Sequence, residues 1–309
     1  MRSILPILTV LLAIVALWYA AAIPMNIRAA LTQAERDGAI VTPATAVERR
    51  DANAIGLALK NPAQIWATLD QERARLPTPH RVFAELWDTT GAKVLAGKAM
   101  SKRSLIFHAW TTLSATLLGF AIGAILGIAL AVGIVHNRAM DMSVMPWAIA
   151  SQTIPILAIA PMIIVVLNSV GVQGLLPKAM ISAYLSFFPV VVGMVKGLRS
   201  PDAMQLDQLR TYYASRAQTF FKLRLPASVP YLFTSLKIGA AAALIGAIVG
   251  ELPTGAVRGL GARLLAGSYY GQTEQIWSAL FGAAIVAACL VGAIGLIQRF
   301  TMNLMGFNR

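Results

Sequence analysis

Residues 207–226 read DQLRTYYASRAQTFFKLRLP and form a polar, basic insert between two strongly apolar stretches of the chain. The stretch before the insert covers residues 181–195, and the one after it covers residues 231–249. Apolar stretches of this kind are typical of membrane-spanning helices, whereas the insert has the mixed character of a segment that lies in water. This arrangement predicts a membrane protein that keeps an amphipathic loop outside the bilayer to contact a partner.

The composition independently indicates a membrane protein. Hydrophobic residues make up 57% of the 309 residues, charged residues make up 13%, and the mean hydropathy is +0.68, whereas soluble domains carry about 25% charged residues. The net charge of +13 does not indicate nucleic-acid binding, because the basic residues flank apolar spans, which is the topology signal of inner-membrane proteins. The single cysteine, Cys289, lies in an apolar run, which excludes an intramolecular disulfide framework.

Six apolar stretches are long enough, or nearly so, to cross about 30 Å of hydrocarbon, which takes roughly 20 helical residues. They cover residues 4–25, 105–135, 144–167, 175–195, 231–249 and 276–297. The first stretch has features of a cleaved signal peptide, but its apolar run continues to residue 25, which favours an uncleaved span. The expected fold is an all-α bundle of about six transmembrane helices in the bacterial inner membrane.

Basic residues set the expected orientation. The loop 196–230 carries six Lys and Arg but only two Asp, and short basic loops stay in the cytoplasm. The chain is then divided into an N-terminal span (1–25), a periplasmic and interfacial segment (26–103) and a core (104–309). The segment 26–103 carries 12 Lys and Arg, but long loops escape the charge rule. Its residues 26–75 are expected to be an insertion with one or two short amphipathic helices.

Three glycines recur every four residues in the second span, at Gly119, Gly123 and Gly127. On a helix they form one stripe without Cβ atoms, so a second helix can approach closely. We interpret the stripe as a packing seam rather than as a solute pathway. Glycines of the fifth and sixth spans suggest equally tight packing there; they are Gly239, Gly246, Gly250, Gly282, Gly292 and Gly295.

The third span contains three prolines, and Pro155 follows Gln152 and Thr153 closely. A proline inside a membrane helix frees carbonyl groups that neighbouring helices or water must satisfy. The polar side chains beside this break are candidates for a translocation path, and a kinked structural helix is the alternative. Both interpretations stay open on the sequence alone.

Glu251 is a second candidate for a functional residue of the pore. It is the only acid between Asp207 and Glu274, and it lies where the fifth span ends. An acid at the edge of the membrane acts as a gate or as a partner contact, or it simply faces water.

No enzyme chemistry is predicted for this chain. His80, His108 and His136 have no carboxylate or cysteine at ligand spacing, so a metal site is not expected. The sequence contains no G-x-x-x-x-G-K-[ST] phosphate loop, so ATP hydrolysis by that mechanism is excluded. No catalytic triad or carboxylate pair converges in the apolar core, and no cofactor is expected.

The insert resembles the coupling loop of ABC-importer permeases, which has the pattern E-A-A, three residues, Gly, nine residues, Ile, one residue, Leu-Pro. Leu225-Pro226 match its end and Leu223 takes the Ile position. Tyr213 replaces the glycine, and Asp207-Gln208-Leu209 replace E-A-A. The start is conservative, with Asp for Glu, whereas Tyr for Gly departs from the pattern.

Further short motifs over residues 76–300 are similar to those of permeases in the nitrate, sulfonate, taurine and bicarbonate group of ABC importers. They include Ile154-Pro155, Phe187-Phe188-Pro189, Gly197-Leu198-Arg199 and Pro230-Tyr231. The resemblance implies a type I importer fold, with two permease copies as a homodimer in membrane lipid. Each copy would dock a cytoplasmic ABC ATPase through Ala214, Ser215 and Arg216, and a periplasmic substrate-binding protein would deliver the solute.

The function implied is ATP-driven import of a small solute, such as a sulfonate, nitrate, bicarbonate or a vitamin precursor. The alternative is a secondary transporter or channel without an ATPase. Such a protein would be expected to place ionisable residues inside its spans for ion coupling. Only Lys178 and Lys237 lie in or near spans, and both are close enough to an end to snorkel. A membrane-anchored assembly protein, a third class, would need neither the kinked span nor the Leu-Pro loop.

Overall fold

The structure, a computed structural model, describes residues 4–253 and 255–306. All regular elements of these residues are helical, which confirms the expected all-α fold. The helices up to the first long core helix are α1 (Ile4–Arg36), α2 (Ala46–Asp51), α3 (Ala54–Lys60), α4 (Ile65–Leu69), α5 (Pro79–Thr89) and α6 (Gly91–Leu95). The rest are α7 (Leu105–His136), α8 (Arg138–Ser151), α9 (Ile156–Ser169), α10 (Leu175–Leu198), α11 (Ala203–Thr211), α12 (Arg216–Thr219), α13 (Leu225–Glu251), α14 (Leu260–Tyr270) and α15 (Thr273–Leu304).

Two compact units divide the described chain. The first unit comprises the residues up to Leu105 together with Arg263–Phe281, and the second comprises Ile106–Ala262 and the residues from Gly282 onward. Five helices are long and apolar enough to cross a membrane, and the bent pair of α8 and α9 is a candidate for a sixth crossing.

In the second unit α7 and α10 run parallel. A Cβ added to Gly119 would overlap the Ser182 side chain, and one added to Gly127 would lie 2.9 Å from the Val190 Cβ. The residue numbers on the two helices therefore rise together along the contact. Close approach of this kind requires glycine, because any larger side chain would separate the helices.

Helices α10 and α13 run antiparallel. A Cβ on Gly193 would overlap the Ser235 side chain, whereas one on Gly246 would lie 2.7 Å from the Ser182 Cα. Ser182 Oγ also donates a hydrogen bond to the Ala243 carbonyl oxygen at 2.7 Å. α10 is thus packed between α7 and α13, and its Val190 and Val191 are fully buried.

The parallel arrangement of α7 and α10 determines how often the chain crosses the membrane. Two parallel spans can follow one another only if the chain between them returns to the starting side. The chain between them consists of α8 and α9, which meet at a bend of 101°. We conclude that α8 and α9 together make one broken crossing, which gives six crossings in all. The third span, expected at 144–167, is therefore two helices rather than one kinked helix.

The glycines of α15 differ from expectation. Among the described residues, Gly292 has open space beside it, and the atoms nearest to a Cβ on Gly295 would be the last two of the Lys237 side chain, at 3.7 Å. The predicted tight packing is therefore wrong at these two positions. A glycine count alone does not reveal whether a neighbouring helix approaches the stripe.

In the first unit α1 continues well past the predicted apolar span. Its 33 residues extend about 50 Å, against roughly 30 Å of hydrocarbon. Beyond residue 25, Ile27 and Leu31 pack against Leu57 and Ala58 of α3 instead of lipid. The apolar pattern ends early because this part of the helix is covered by protein. Within the region expected to be an insertion with one or two short helices, the structure has three, α2, α3 and α4, which form a small helical cap on α1.

Candidate functional site

The insert between α10 and α13 folds as two short helices joined by a tight turn. Asp202 caps α11, with its amide donating to Gln205 Oε1 at 3.2 Å. Asp207, Gln208 and Leu209 lie within α11, and Asp207 forms an exposed ion pair with Arg210 at 2.9 Å. The acidic start of the sequence motif therefore lies on the surface of a helix, and the Asp207 carboxylate is already paired with Arg210.

Tyr213 ends α11 in a left-handed conformation. Its φ of 53° makes it the one non-glycine residue with positive φ among residues 4–253 and 255–306. Two hydrogen bonds define the turn, from the Tyr213 amide to the Arg210 oxygen at 2.9 Å and from the Ala214 amide to the Leu209 oxygen at 3.0 Å. This is the Schellman motif, in which the left-handed residue is most often glycine. The glycine that the sequence pattern expects at this position has a structural explanation.

The next helix begins with a capping box. Ser215 Oγ accepts from the Gln218 amide at 3.2 Å, and Gln218 Oε1 accepts from the Ser215 amide at 2.8 Å. The helix continues from Arg216 without interruption to Glu251, over 36 residues, or about 54 Å. A π-helical segment, Phe220–Arg224, lies between α12 and α13. We call residues 203–219 the coupling segment.

The coupling segment exposes large side chains that lack partners in the described structure. Tyr213 is 96% exposed, and Tyr212 and Met204 of the same segment are exposed as well. Arg216 forms no ion pair within residues 4–253 and 255–306. Aromatic and apolar side chains clustered on a polar segment outside the membrane mark a protein-binding surface.

The base of this helix is anchored in the bundle. Phe220 stacks edge-on against His136 at the end of α7, with ring centroids 5.0 Å apart. Phe220 and Leu225 also pack on the buried cluster that contains Val195 and Leu198 of α10. Leu223 and Pro226 are half-buried in the same region. A displacement of α12 would therefore be transmitted to the ends of α7 and α10.

Gln152, Thr153 and Pro155 occupy the break between α8 and α9. Pro155 is the N-cap residue of α9, and Thr153 Oγ1 donates to the Ala150 oxygen at 2.8 Å. Thr153 and Pro155 are exposed, whereas the Gln152 Nε2 atom is buried and has no partner in the described structure. An unsatisfied amide beside a helix break is suited to a polar solute or water.

Glu251 is fully buried at the end of α13. Thr112 Oγ1 on α7 donates to its Oε1 at 2.8 Å, and the Gly261 amide donates to its Oε2 at 2.7 Å. One carboxylate thus connects α7, the end of α13 and the start of α14. The interpretation that Glu251 faces water is wrong, because its side chain has no exposed surface.

Two more hydrogen bonds hold the turn before α14. The Leu260 amide donates to Thr112 Oγ1 at 2.8 Å, and the Gly259 amide donates to His108 Nδ1 at 3.0 Å. Gly259 has φ +125°, and a Cβ at this residue would overlap the Glu251 carboxylate. Only a glycine at position 259 therefore allows the turn to approach the Glu251 carboxylate this closely. We call Glu251, Thr112, His108 and residues 259–261 the Glu251 clasp.

Sequence reasoning identified Glu251 but missed the rest of the clasp. Thr112 and His108 lie one helical turn apart on α7, and their spacing does not distinguish them from the other polar residues nearby. Gly259-Leu260-Gly261 was the available signal, since two glycines flanking one residue permit a close backbone approach. The partner of that approach becomes evident only from the fold.

Ion pairs stabilise the first unit around a cleft of about 600 Å³. Arg81 forms ion pairs with Glu274 and Asp70, each at 2.8 Å, and the hydrogen bond that Arg81 donates to Glu274 raises the pKa of the Arg81 guanidinium. Arg263 and Glu85 lie 3.6 Å apart. Burial raises the pKa of the Glu85 carboxyl and lowers the pKa of Arg263, so this looser pair does not compensate for the loss of solvent.

Comparison with known proteins agrees with this architecture. Residues 123–305 match the family described as binding-protein-dependent transport system inner membrane component. A probable ABC transporter permease of Haemophilus influenzae is 30% identical over 62% of this chain and 77% of its own length. The riboflavin transport system permease of Chloroflexus aurantiacus is 31% identical over 74% of this chain and 80% of its own length. The formylaminopyrimidine transport permease of Halalkalibacterium halodurans is 35% identical over 51% of this chain and 62% of its own length.

Proposed function

We propose how this chain, which belongs to the family of binding-protein-dependent transport system inner membrane components, is coupled to ATP hydrolysis. Its coupling segment receives the movement of a separate cytoplasmic ATPase subunit and transmits that movement to the transmembrane helices. The chain is a multi-pass permease of the bacterial inner membrane and part of an ABC importer for a small solute. The observation that carries the proposal is the single helix from Arg216 to Glu251. It links the exposed coupling segment directly to the Glu251 clasp.

The mechanical argument rests on rigidity. A helix transmits displacement along its axis because its backbone hydrogen bonds are internal. The capping box at Ser215 fixes the start of this helix, and the Phe220 contact with His136 fixes its exit from the bundle. A partner that grips Tyr213 and Arg216 would therefore move the end of α13 rather than unwind the segment.

Arg216 is the residue best suited to test the proposal. It is exposed and unpaired within the described residues, so Arg216→Glu leaves the bundle intact. We expect the variant to be inserted normally but to lose its ATPase subunit during purification and to lose uptake. Removing a charged contact and adding repulsion at an interface costs roughly 2 to 5 kcal/mol.

Lys60→Glu provides the control, because it makes the same charge change on α3, at the predicted periplasmic side. That variant should retain the ATPase subunit. Full uptake and undiminished co-purification of Arg216→Glu would exclude the residue from the interface.

We also propose that the Glu251 clasp is the outer gate of the permease. It joins α13 to α7 at the predicted periplasmic ends of both helices, where opening would require the turn 259–261 to leave the carboxylate. Thr112→Val removes the bridging hydroxyl at nearly constant shape. We expect this variant to hydrolyse ATP without proportionate uptake when assembled with its partners. Equal losses of hydrolysis and uptake would contradict a gating role.

The solute path is proposed to pass the break between α8 and α9, where Gln152, Thr153 and Pro155 interrupt the wall of the bundle. A second copy of this chain as a homodimer would close the pore, and the charged cleft of the first unit is the proposed face for the binding protein. Gln152→Leu should raise the solute concentration needed for half-maximal uptake. An unchanged value would remove this residue from the path.

The relatives' names support a solute class. Riboflavin and formylaminopyrimidine, named for two relatives, are both nitrogen heterocycles. We infer that the solute is a heterocycle of the vitamin-precursor type. Uptake of labelled heterocycles, compared with nitrate and taurine in cells with and without this chain, tests the inference. Transport of nitrate alone would refute it.

A further inference from the structure

A cleft of about 690 Å³ lies between α13 and α15 in the second unit. Its lining includes Lys237 from α13 and, from α15, Gly292, Gly295, Gln298, Arg299 and Met302. Gly292 has open space beside it, and a Cβ on Gly295 would lie 3.7 Å from the Lys237 Nζ atom. The missing side chains at these two glycines are what form the cleft.

The cleft is cationic and has no counterion within residues 4–253 and 255–306. Neither Lys237 nor Arg299 forms an ion pair there. The sequence contains no acid after Glu274, and the one acid of α13 is Glu251, which is fourteen positions, or about 21 Å, from Lys237. A lysine and an arginine inside a membrane-spanning segment normally have a partner.

The cleft lies at the level of one of the two bilayer interfaces. Arg299 lies five residues before Leu304, the last residue of α15, or about 8 Å along the helix axis. The Lys237 side chain runs alongside Gly295, one turn before Arg299, so its ammonium group can snorkel toward the same level. With six crossings and the N-terminus inside, this end of α15 is cytoplasmic.

We propose that this cleft binds the phosphate of an anionic phospholipid from the cytoplasmic leaflet. Arg299 would hold two phosphate oxygens, Lys237 would supply a second positive charge, and the half-buried Gln298 would donate to the headgroup. The open space at Gly292 admits the glycerol and the start of an acyl chain. The site goes beyond the transport function and requires neither the ATPase nor the solute.

A second copy of this chain fits the cleft less well. In a two-fold interface the same surface patch meets itself. Residues 282–306 contain one basic residue, Arg299, and no acid, so two copies of the patch that Arg299 forms with Lys237 would bring like charges together. An anionic lipid neutralises the cleft, whereas a copy of the chain would increase its repulsion.

The proposal can be tested by native mass spectrometry of the purified chain, loaded from vesicles of phosphatidylglycerol or of phosphatidylcholine. Wild-type protein should retain phosphatidylglycerol preferentially. Lys237→Gln combined with Arg299→Gln should weaken that retention by roughly tenfold or more, since each basic residue near the surface contributes about 1 kcal/mol. Arg210→Gln with Arg216→Gln, an equal loss of charge outside the membrane, should retain the lipid.

Three outcomes would overturn the proposal. The double variant could retain phosphatidylglycerol as the wild type does, while its thermal unfolding shows that it is folded. The wild type could show no preference over phosphatidylcholine, as it would if a second copy covers the cleft. Excess inorganic phosphate could displace the lipid completely, which would assign the cleft to a free anion.

Discussion

The amide of Ala214 donates to the carbonyl oxygen of Leu209 at 3.0 Å, and this bond closes the end of α11 around Tyr213. The permease pattern places its glycine at that same position, separated from the acidic head by three residues. The geometry therefore explains the spacing of the motif, because the head forms the last turns of a helix and the glycine ends it. In this chain a tyrosine holds the left-handed conformation instead, while its ring is fully available to a partner.

Replacing Tyr213 by glycine should relieve the left-handed backbone, which costs roughly 1 to 2 kcal/mol in a side-chain-bearing residue. The added flexibility of glycine offsets about half of that gain. We expect hydrogen exchange at the Ala214 amide to become slower or to stay the same in Tyr213→Gly. Tyr212→Gly is the matched control, because Tyr212 has φ −85°. Exchange should be faster in that variant, and the reverse order would contradict the assigned turn.

The Glu251 clasp predicts unequal effects for two glycines that both have positive φ. Gly259→Ala would drive a methyl group into the Glu251 carboxylate, whereas Gly255 has φ +59° and no described neighbour within 4 Å of the place that a methyl group would take. We expect Gly259→Ala to lower the free energy of unfolding by roughly 2 to 5 kcal/mol, and Gly255→Ala by about 1 kcal/mol. Thermal unfolding in detergent measures both. Similar losses would show that the carboxylate does not limit the turn.

The parallel packing of α7 and α10 predicts the location of the loop after α9. In a Cys289→Ser background, a cysteine at the exposed Gln173 should react with an impermeant thiol reagent in spheroplasts, as should one at Lys60. A cysteine at Met204 should react only after permeabilisation. Should Gln173→Cys react only after permeabilisation and Met204→Cys react in spheroplasts, α8 and α9 would be a re-entrant hairpin, and the chain would have five crossings.

The packing seam between α7 and α10 predicts a further contrast. A methyl group at Gly123 would overlap Ser186 Oγ and lie 2.8 Å from the Ala183 oxygen, whereas Gly292 has free space. Gly123→Ala should destabilise the bundle by roughly 1 to 3 kcal/mol, while Gly292→Ala should leave the thermal unfolding temperature unchanged. Equal tolerance of both changes would mean that the helices can separate without loss.

Much of the bundle could be predicted because hydrocarbon selects long apolar stretches, and five such stretches fall within single described helices. The third span could not be predicted in detail. Gln152, Thr153 and Pro155 indicated an irregularity in this span, but hydropathy does not report the direction of the backbone on either side of it. The bend became evident only from the pairing of Gly119 with Ser182 and of Gly127 with Val190, which are contacts far apart in sequence.

The site was predictable where it depends on local geometry. The turn at Tyr213 and the cap at Ser215 involve residues within five positions of each other, so a short motif contains their information. The Glu251 clasp joins α7, α13 and α14, and its polar partners Thr112 and His108 have no local signature. The acid could be singled out as unusual, but the groups that satisfy it are determined by the tertiary fold.

Asn26 is fully buried, and its side chain donates to the Leu76 oxygen at 2.8 Å and accepts from the Leu76 amide at 3.1 Å. The chain therefore continues along α1 past Asn26 and later returns to this residue before it enters α5. The segment between these two residues begins and ends at the Asn26 side chain, which holds both of its ends together. Such a segment can be lengthened, shortened or exchanged during evolution without any change in the path of the remaining polypeptide. The cap can thus diversify independently of the transport machinery that carries it.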